Sequence, residues 1–153
     1  MAVNFDISGK IAVLTGAGGI ICGAMSREFA KKGAKVALLD LFPEKAQAIA
    51  DEIVRQGGDA IAIEADVLNR ESLETAREVV IKRYGRVDIL VNGAGGNKKE
   101  ATTGPSNSFF TLDQEAFKWV FDLNVTGAVL TTQVFGELMA EQGHGNVINI
   151  ASM

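Results

Sequence analysis

The stretch that decides the fold, residues 11–23, reads IAVLTGAGGIICG: an apolar, β-branched run, a cluster of glycines and the start of a helical pattern. A second apolar run, residues 35–40 (KVALLD), follows and ends in a carboxylate, Asp40. Glycines between a strand and a helix let backbone N–H groups approach a pyrophosphate, and the helix dipole favours the negative charge. An acid about 20 residues further on is typical of dinucleotide sites, because it binds a ribose. These residues predict a strand–turn–helix–strand unit with a candidate nucleotide site.

The same alternation of apolar runs and helical patterns continues along the chain. Strands are predicted at 10–15, 35–40, 59–66, 86–92 and 146–150, and helices at 20–32, 43–56 and 69–84, from a capping box at Thr111 and Gln114 through 121, and at 125–139. Such alternation indicates βαβ units, and strands that are apolar on both faces indicate helices on both sides of the sheet. The sequence therefore predicts a single domain over residues 1–153 of α/β class, a doubly wound parallel sheet (Rossmann fold).

The helical patterns also predict which side chains are buried. In the first helix, Ile21, Met25 and Phe29 recur at helical spacing. In the last two helices the predicted core positions are Phe117, Val120, Phe121, Val129 and Phe135.

Composition excludes several classes of protein. The chain has 153 residues, 47% of them hydrophobic, which suits one globular domain and excludes disorder. Its one cysteine, Cys22, cannot form an internal disulfide, and its longest run without a polar or charged side chain, residues 16–25, is too short to span a membrane. A net charge of −4 argues against nucleic acid as a partner. We expect a cytoplasmic protein without a secretory signal, and no metal site.

The carboxylates that end the second and third strands bear on cofactor choice. Asp40 would repel the extra 2′-phosphate of NADP, because unit charges 4 Å apart interact by about 4 kcal/mol at an effective dielectric near 20. Leu41 and Phe42, not a cation, follow directly. We therefore expect NAD in preference to NADP, although Asp40 as a plain strand-end residue stays open. Asp66 either reaches an adenine edge or caps its own loop.

Four features together carry a family resemblance: TGAGG after strand one, Asp66-Val67 after strand three, residues 92–95 (NGAG) after strand four, and Asn124 within DLNVTG. With NVINIAS near the end, the chain resembles the short-chain dehydrogenase/reductase family over essentially all of its length. The resemblance implies that Asn124 is the catalytic asparagine and that Ser152 is the catalytic serine. It implies cofactor contacts at Gly16, Gly18, Gly19, Ile21, Asp40, Asp66, Val67, Asn92, Ala94 and Gly95.

The chain departs from that family in three ways. Ile20 and Cys22 stand at two positions of the TGxxxGxG turn that are usually glycine, and Gly93 stands where a second asparagine is usual. No Tyr-x-x-x-Lys motif is present, since the one tyrosine, Tyr84, has Asp88 four residues on. The last predicted strand would also be an exposed apolar edge, which proteins normally cover. We therefore expect these residues to be the N-terminal part of a longer protein, and to be inactive alone.

The loop after strand four offers the only local clue to a substrate. Lys98 and Lys99 would meet a substrate carboxylate, or are simply solvated. With the Cys22 turn, the AGGNKKEATT loop is similar to the D-mannonate oxidoreductase (fructuronate reductase) branch of the family. That resemblance implies hydride transfer between NAD(H) and a carbonyl/alcohol pair of a sugar acid, and a homo-oligomer.

Two readings from other classes stay open. The first is a non-catalytic nucleotide-binding module that lacks the Tyr/Lys half. The second is a Rossmann-like methyltransferase, against which Thr15-Gly16, residues 92–95 and Ser152 argue. Two further residues have ordinary interpretations: His144 lies in a turn between glycines, and Cys22 is either a reactive thiol at a helix start or a small packing residue.

Overall fold

The computed structural model of the chain describes residues 6–151 and contains one five-stranded parallel sheet in the order β3-β2-β1-β4-β5. In the register of the central strands, Leu14 lies opposite Leu38 on one side and Val91 on the other. The strands are β1 (Ile11–Thr15), β2 (Lys35–Asp40), β3 (Asp59–Glu64), β4 (Ile89–Asn92) and β5 (Asn146–Asn149). The helices are α1 (Ile20–Lys31), α2 (Pro43–Arg55), α3 (Arg70–Tyr84), α4 (Gln114–Phe121) and α5 (Gly127–Gln142).

Each face of the sheet is covered by two helices. On one face, α1 and α2 contribute Cys22, Ile49 and Ile53 to a core that includes Leu14 and Leu38. On the other, α3 and α5 contribute residues such as Leu73, Val80 and Phe135. The central strands are thus buried on both sides, as continuous apolar runs require. The predicted doubly wound Rossmann sheet is confirmed.

Helix ends follow from local side-chain chemistry, with one difference from expectation. Asn69 caps α3 by accepting a hydrogen bond from the Ser72 amide, as predicted. For α4 the predicted capping box at Thr111 is wrong, because Asp113 accepts a 2.6 Å hydrogen bond from the Ala116 amide. Thr111 instead donates to the Ser108 carbonyl in a short 3₁₀ turn. A carboxylate also suits the positive end of the helix dipole better than a hydroxyl does.

The side of α1 that faces the sheet is built largely from small residues. Cys22, Gly23 and Ser26 are buried, Met25 and Phe29 pack half-buried against the core, and Ile21 is 61% exposed. Small side chains face the sheet here because α1 packs closely on the residues that follow β1. A Cβ at Gly23, for example, would lie 3.3 Å from the Ala17 carbonyl oxygen. Periodicity alone cannot detect a face built from small residues.

The predicted core positions of the last two helices are only partly correct. Phe135 is fully buried and Val120 is half-buried. The other three predicted positions, Phe117, Phe121 and Val129, are exposed over half or more of their surface. Apolar residues on the edge strand, Val147 and Ile148, are also exposed by about two fifths. No helix within residues 6–151 is both long enough and apolar enough to cross a membrane.

Candidate functional site

The candidate site is the crevice between the carboxyl ends of β1 and β4. The chain passes from β1 to β2 on one side of the sheet and later crosses to β4 on the other, so the loops after β1 and β4 diverge. Ligands of doubly wound folds bind at such a switch point. The residues predicted from sequence to bind a nucleotide follow β1, β2, β3 and β4, and the carboxyl ends of these parallel strands share one edge of the sheet.

The glycine turn after β1 packs so closely on neighbouring backbone that side chains would not fit. Gly16 has a φ of 64°, and a Cβ there would lie 2.8 Å from the Gly93 carbonyl oxygen. The Gly19 amide donates to the Gly16 carbonyl at 3.0 Å, which closes the turn before α1. Ile20, at a position usually held by glycine in the family, is 93% exposed and leaves the turn open. The first-turn amides of α1 lack intrahelical acceptors and are free to bind an anion.

Asp40 has the structural role of a strand-end residue and keeps acceptor capacity for a ligand. Its Oδ2 accepts from the Gly18 amide at 2.8 Å, and its Oδ1 accepts from the Phe42 amide at 2.9 Å. The carboxylate therefore ties the end of β2 to the glycine turn. Each oxygen keeps a second lone pair for a ribose hydroxyl. A side chain at Gly18 would be blocked, since its Cβ would lie 2.6 Å from Lys45 Cβ.

The loop after β3 holds Asp66 and Val67 in different environments. Asp66 Oδ1 accepts from the Leu68 amide at 2.9 Å, so its carboxylate caps the loop, and the half-buried side chain keeps a free oxygen. Val67 is buried and packs against Gly127, where a Cβ would lie 2.8 Å from Val67 Cγ2. Only the backbone of Val67 is therefore available to a ligand.

The floor of the crevice is fixed by Asn92, a predicted site residue, and by three polar residues that were not predicted, Thr15, Thr132 and Asn149. Buried Thr15 accepts, at its Oγ1, hydrogen bonds of 3.1 Å from the amides of both Gly93 and Ala94. Asn92 Nδ2 donates to Thr132 Oγ1 at 2.9 Å and to Asn149 Oδ1 at 2.8 Å. Hydroxyl and amide side chains at strand ends are common, so sequence gives no signal for these partners 40 and 57 residues away.

Asn124 lies at the centre of a π-helical turn, Asp122–Thr126, between α4 and α5. Its Nδ2 donates to the carbonyls of Gly96 and Val120, both at 2.7 Å, and its Oδ1 accepts from the Gly96 amide at 3.3 Å. A Cβ at Gly95 would lie 2.6 Å from Asn124 Oδ1, so this close approach requires glycine. Asn124 thus joins the helix irregularity to the loop after β4. Such π-turns occur frequently at functional sites.

The open space beside this loop is a cleft of about 940 Å³. Phe117, Phe121 and Val129, the exposed residues of α4 and α5, line it, which explains why they are not core. It is further lined by Asn92, Gly93, Ala94, Gly95, Gly96, Asn97, Val120, Asn124, Val125, Ala128, Asn149, Ile150 and Ala151.

The two candidate substrate lysines lie in different places. Lys98 Nζ stands 4.4 Å from the centre of the Trp119 ring, a cation–π contact, and Lys98 lines a separate charged depression with residues such as Asp113 and Asp122. Lys99 is exposed at the start of a short 3₁₀ turn. Ser152, the candidate catalytic serine, lies outside the described residues.

The arrangement fits a dinucleotide. The backbone of the glycine turn packs closely on Gly93 and Lys45, so that a Cβ at Gly16 or Gly18 would collide with them, and the carboxylate of Asp40 is bonded to the turn. Among residues 6–151, Asn92 Oδ1 is a buried oxygen without a hydrogen-bond partner at the cleft. Buried polar atoms normally have partners, so this oxygen is suited to a donor from a ligand or from chain beyond these residues.

Comparison with known proteins identifies the family. The short chain dehydrogenase family model matches residues 10–153. The chain is 46% identical to "Uncharacterized oxidoreductase UxuB" of Bacillus subtilis over 97% of its own length and 56% of the relative's. The chain therefore spans about half the length of the curated relatives it matches.

Solved structures agree with this assignment. A "putative D-Mannonate oxidoreductase" from Haemophilus influenza with bound NAD is 38% identical, with a TM-score of 0.88, over 97% of this chain and 56% of that one. An NAD+-bound xylitol dehydrogenase is 29% identical, with a TM-score of 0.87, over 96% of this chain and 54% of that one. These matches confirm the resemblance expected from the motifs: the chain belongs to the short-chain dehydrogenase family.

Proposed function

We propose that the complete protein carrying these residues is an NAD-dependent oxidoreductase. The observation that carries the proposal is the switch point of the sheet, where the glycine turn after β1 is bonded to Asp40 and a cleft lined by Asn124 opens after β4. When bound, NAD(H) supplies or accepts the hydride exchanged with a carbonyl/alcohol substrate. Supporting this, both solved relatives described above carry bound NAD.

In this proposal the binding groups are supplied mainly by backbone. The amides of the α1 first turn bind the pyrophosphate, with Gly16, Gly18, Gly19 and Ile21 around it. Asp40 accepts from the adenosine ribose, and Asp66 with the Val67 backbone borders the adenine. Asn92, Ala94 and Gly95 flank the nicotinamide half. We propose that all of these residues belong to one nucleotide-binding domain, residues 1–153.

Preference for NAD over NADP rests on the charge of Asp40. Both of its oxygens are held by backbone amides, so the carboxylate cannot swing away from a 2′-phosphate. Repulsion at that position penalises NADP.

Asn124 and Ser152 are proposed to act at the reacting end. Asn124 fixes the Gly95–Gly96 backbone beside the cleft through its hydrogen bonds with Gly96. This backbone then forms a fixed side of the site for substrate and nicotinamide. Ser152 follows β5 and is proposed to hydrogen-bond the substrate oxygen. Lys98 and Lys99 remain candidates for a substrate carboxylate, with Lys99 the more available, since Lys98 is held on Trp119.

The proposed substrate is a sugar acid of the mannonate/fructuronate type. Its support is the similarity to the Haemophilus protein with that description and to the xylitol dehydrogenase, which acts on a related polyol. We further propose a homo-oligomer in the cytoplasm, by analogy with the family, with a small-molecule substrate and no nucleic-acid partner.

The test is a fluorescence titration of the complete protein with NADH, followed by an assay of NADH oxidation with a panel of keto sugar acids. D-Fructuronate is the expected substrate, and D-fructose, which lacks the carboxylate, is the matched control. Tight NADH binding with turnover of the acid alone supports the proposal. NADH binding without turnover of any carbonyl compound favours the nucleotide-binding module, and no binding of NADH overturns both.

A further inference from the structure

The strongest unassigned contact in the molecule lies beneath the crevice, between Cys22 of α1 and Gly93 after β4. Cys22 is 3% exposed. A Cβ at Gly93 would overlap the Cys22 sulfur and would lie 3.0 Å from the Thr15 carbonyl oxygen. With the Cys22 sulfur in this position, any side chain at position 93 would require the sulfur to move.

Gly93 is confined from its other sides as well. Its amide donates to Thr15 Oγ1, and its carbonyl oxygen lies 2.8 Å from where a Gly16 Cβ would be. The Gly93 backbone is thus held between the Cys22 sulfur, β1 and the glycine turn. These three contacts set how far the first turn of α1 stands from the end of β4, which is the width of the crevice.

We propose that Cys22 and Gly93 are a size-matched pair, in which the sulfur fills the volume of a side chain at position 93 and positions the crevice floor for the dinucleotide. The two departures from the family pattern at these positions are then one change rather than two. Cys22 is a positioning residue here. Burial first, and the nearby Asp40 charge second, raise the pKa of its thiol, so the side chain packs as a small neutral group and not as a nucleophile.

The inference rests on the proposed dinucleotide site and is tested by a substitution cycle on the complete protein. The variants are Gly93→Ala, Cys22→Ala and Cys22→Ser, and the doubles Cys22→Ala/Gly93→Ala and Cys22→Ser/Gly93→Ala. The Cβ atoms of positions 22 and 93 would be 3.6 Å apart, an ordinary contact, so alanine at both positions removes the overlap with the sulfur and leaves only the 3.0 Å approach to the Thr15 carbonyl oxygen. Serine keeps an atom where the sulfur lies, so the serine double is the matched control.

The readouts are the NADH Kd, measured well below each unfolding midpoint, and the midpoint itself. We expect Gly93→Ala to weaken NADH binding by about tenfold or more, since a shift of about 1 Å at a binding wall is costly. The alanine double should return to within about threefold of Cys22→Ala, because overpacking is removed. The serine double should stay as weak as Gly93→Ala. Gly136→Ala, whose Cβ would meet only Thr132 at 3.6 Å, should leave the Kd unchanged.

Each other outcome has a defined meaning. If Gly93→Ala costs the same in all three position-22 backgrounds, the pair is not matched and the inference is overturned. If the midpoints change in the expected pattern while the Kd of the folded variants does not, the pair is structural only and its positioning role is overturned. If Gly93→Ala does not fold, recovery of NADH binding in the alanine double but not in the serine double supports the pairing, and equal behaviour of the two doubles overturns it. Failure of the unsubstituted protein to bind NADH refutes the proposed function instead, and the midpoints then test the size match alone.

Discussion

Replacing Asn124 tests whether its amide holds the loop after β4 against the π-turn. Asn124→Ala removes three hydrogen bonds, two of 2.7 Å donated to Gly96 and Val120 and one of 3.3 Å accepted from Gly96. A hydrogen bond contributes about 1 kcal/mol net. Because Asn124 is exposed and water can replace part of the loss, we expect the free energy of unfolding to fall by about 2 kcal/mol. For a chain of this size that lowers the unfolding midpoint by roughly 4–8 °C.

A second substitution gives a sharper test, because it predicts which of two variants is the less stable. Asn124→Asp keeps the shape but places a carboxylate oxygen where Nδ2 donates to two carbonyls, so at pH 7 it should be less stable than Asn124→Ala. At a pH near 3.5, where the carboxyl begins to protonate and can donate again, the difference should shrink.

The assay is urea unfolding at both pH values, with Asn97→Ala as the control. Asn97 also uses its amide in this loop, but only for a contact with Thr102, five residues away, and with the Lys98 amide. We expect it to cost less than about 1 kcal/mol. An Asn124→Asp protein as stable as the alanine variant at pH 7 would refute the assigned donor contacts.

Three further substitutions test other parts of the structure. Asp40→Asn should raise the ratio of NADP to NAD affinity by about tenfold or more, because it removes the charge repulsion. Damage to the glycine turn affects both cofactors and cancels in the ratio. Fluorescence titration with NADPH and NADH measures the ratio, and an unchanged ratio contradicts the charge argument. Asp88 is buried, and although burial raises its pKa, hydrogen bonds from the Ile11 amide and the Arg86 side chain lower it overall. Since the folded pKa is depressed, its contribution to stability is present above the unfolded value of about 3.9 and is lost as pH falls through the folded pKa, so Asp88→Asn should flatten unfolding curves measured from pH 7 to pH 3. Gly127→Ala should cost about 1–3 kcal/mol by crowding Val67, whereas Gly136→Ala, in the same helix, should not; thermal unfolding of both decides it.

Prediction from sequence was accurate where the controlling contacts are local. The strand and helix bounds follow period and turn chemistry, and Asn69 was correctly assigned as a cap because its partner is three residues away. The errors concern helix faces whose burial depends on which other parts of the chain pack against them. Phe117, Phe121 and Val129 were predicted to be core by periodicity, but they line the cleft after β4 instead.

The candidate site divides in the same way. The glycine turn, Asp40 and Asn124 could be named from motifs, since each motif lies within a short stretch of chain. Their partners could not. Thr15 accepts hydrogen bonds from amides 78 and 79 residues further along the chain. Asn124 accepts a hydrogen bond from the Gly96 amide, 28 residues earlier.

The sequence by itself determined the alternation of strands and helices, the parallel sheet and the position of the glycine turn, because periodicity and turn chemistry act between near neighbours. Only the tertiary structure decided which departures from the family pattern compensate each other. Cys22 and Gly93 are 71 residues apart in the chain, but they occupy adjacent space because β1 and β4 lie side by side. Volume is shared in space rather than in sequence, so a close-packed contact of this kind becomes visible only in the folded chain.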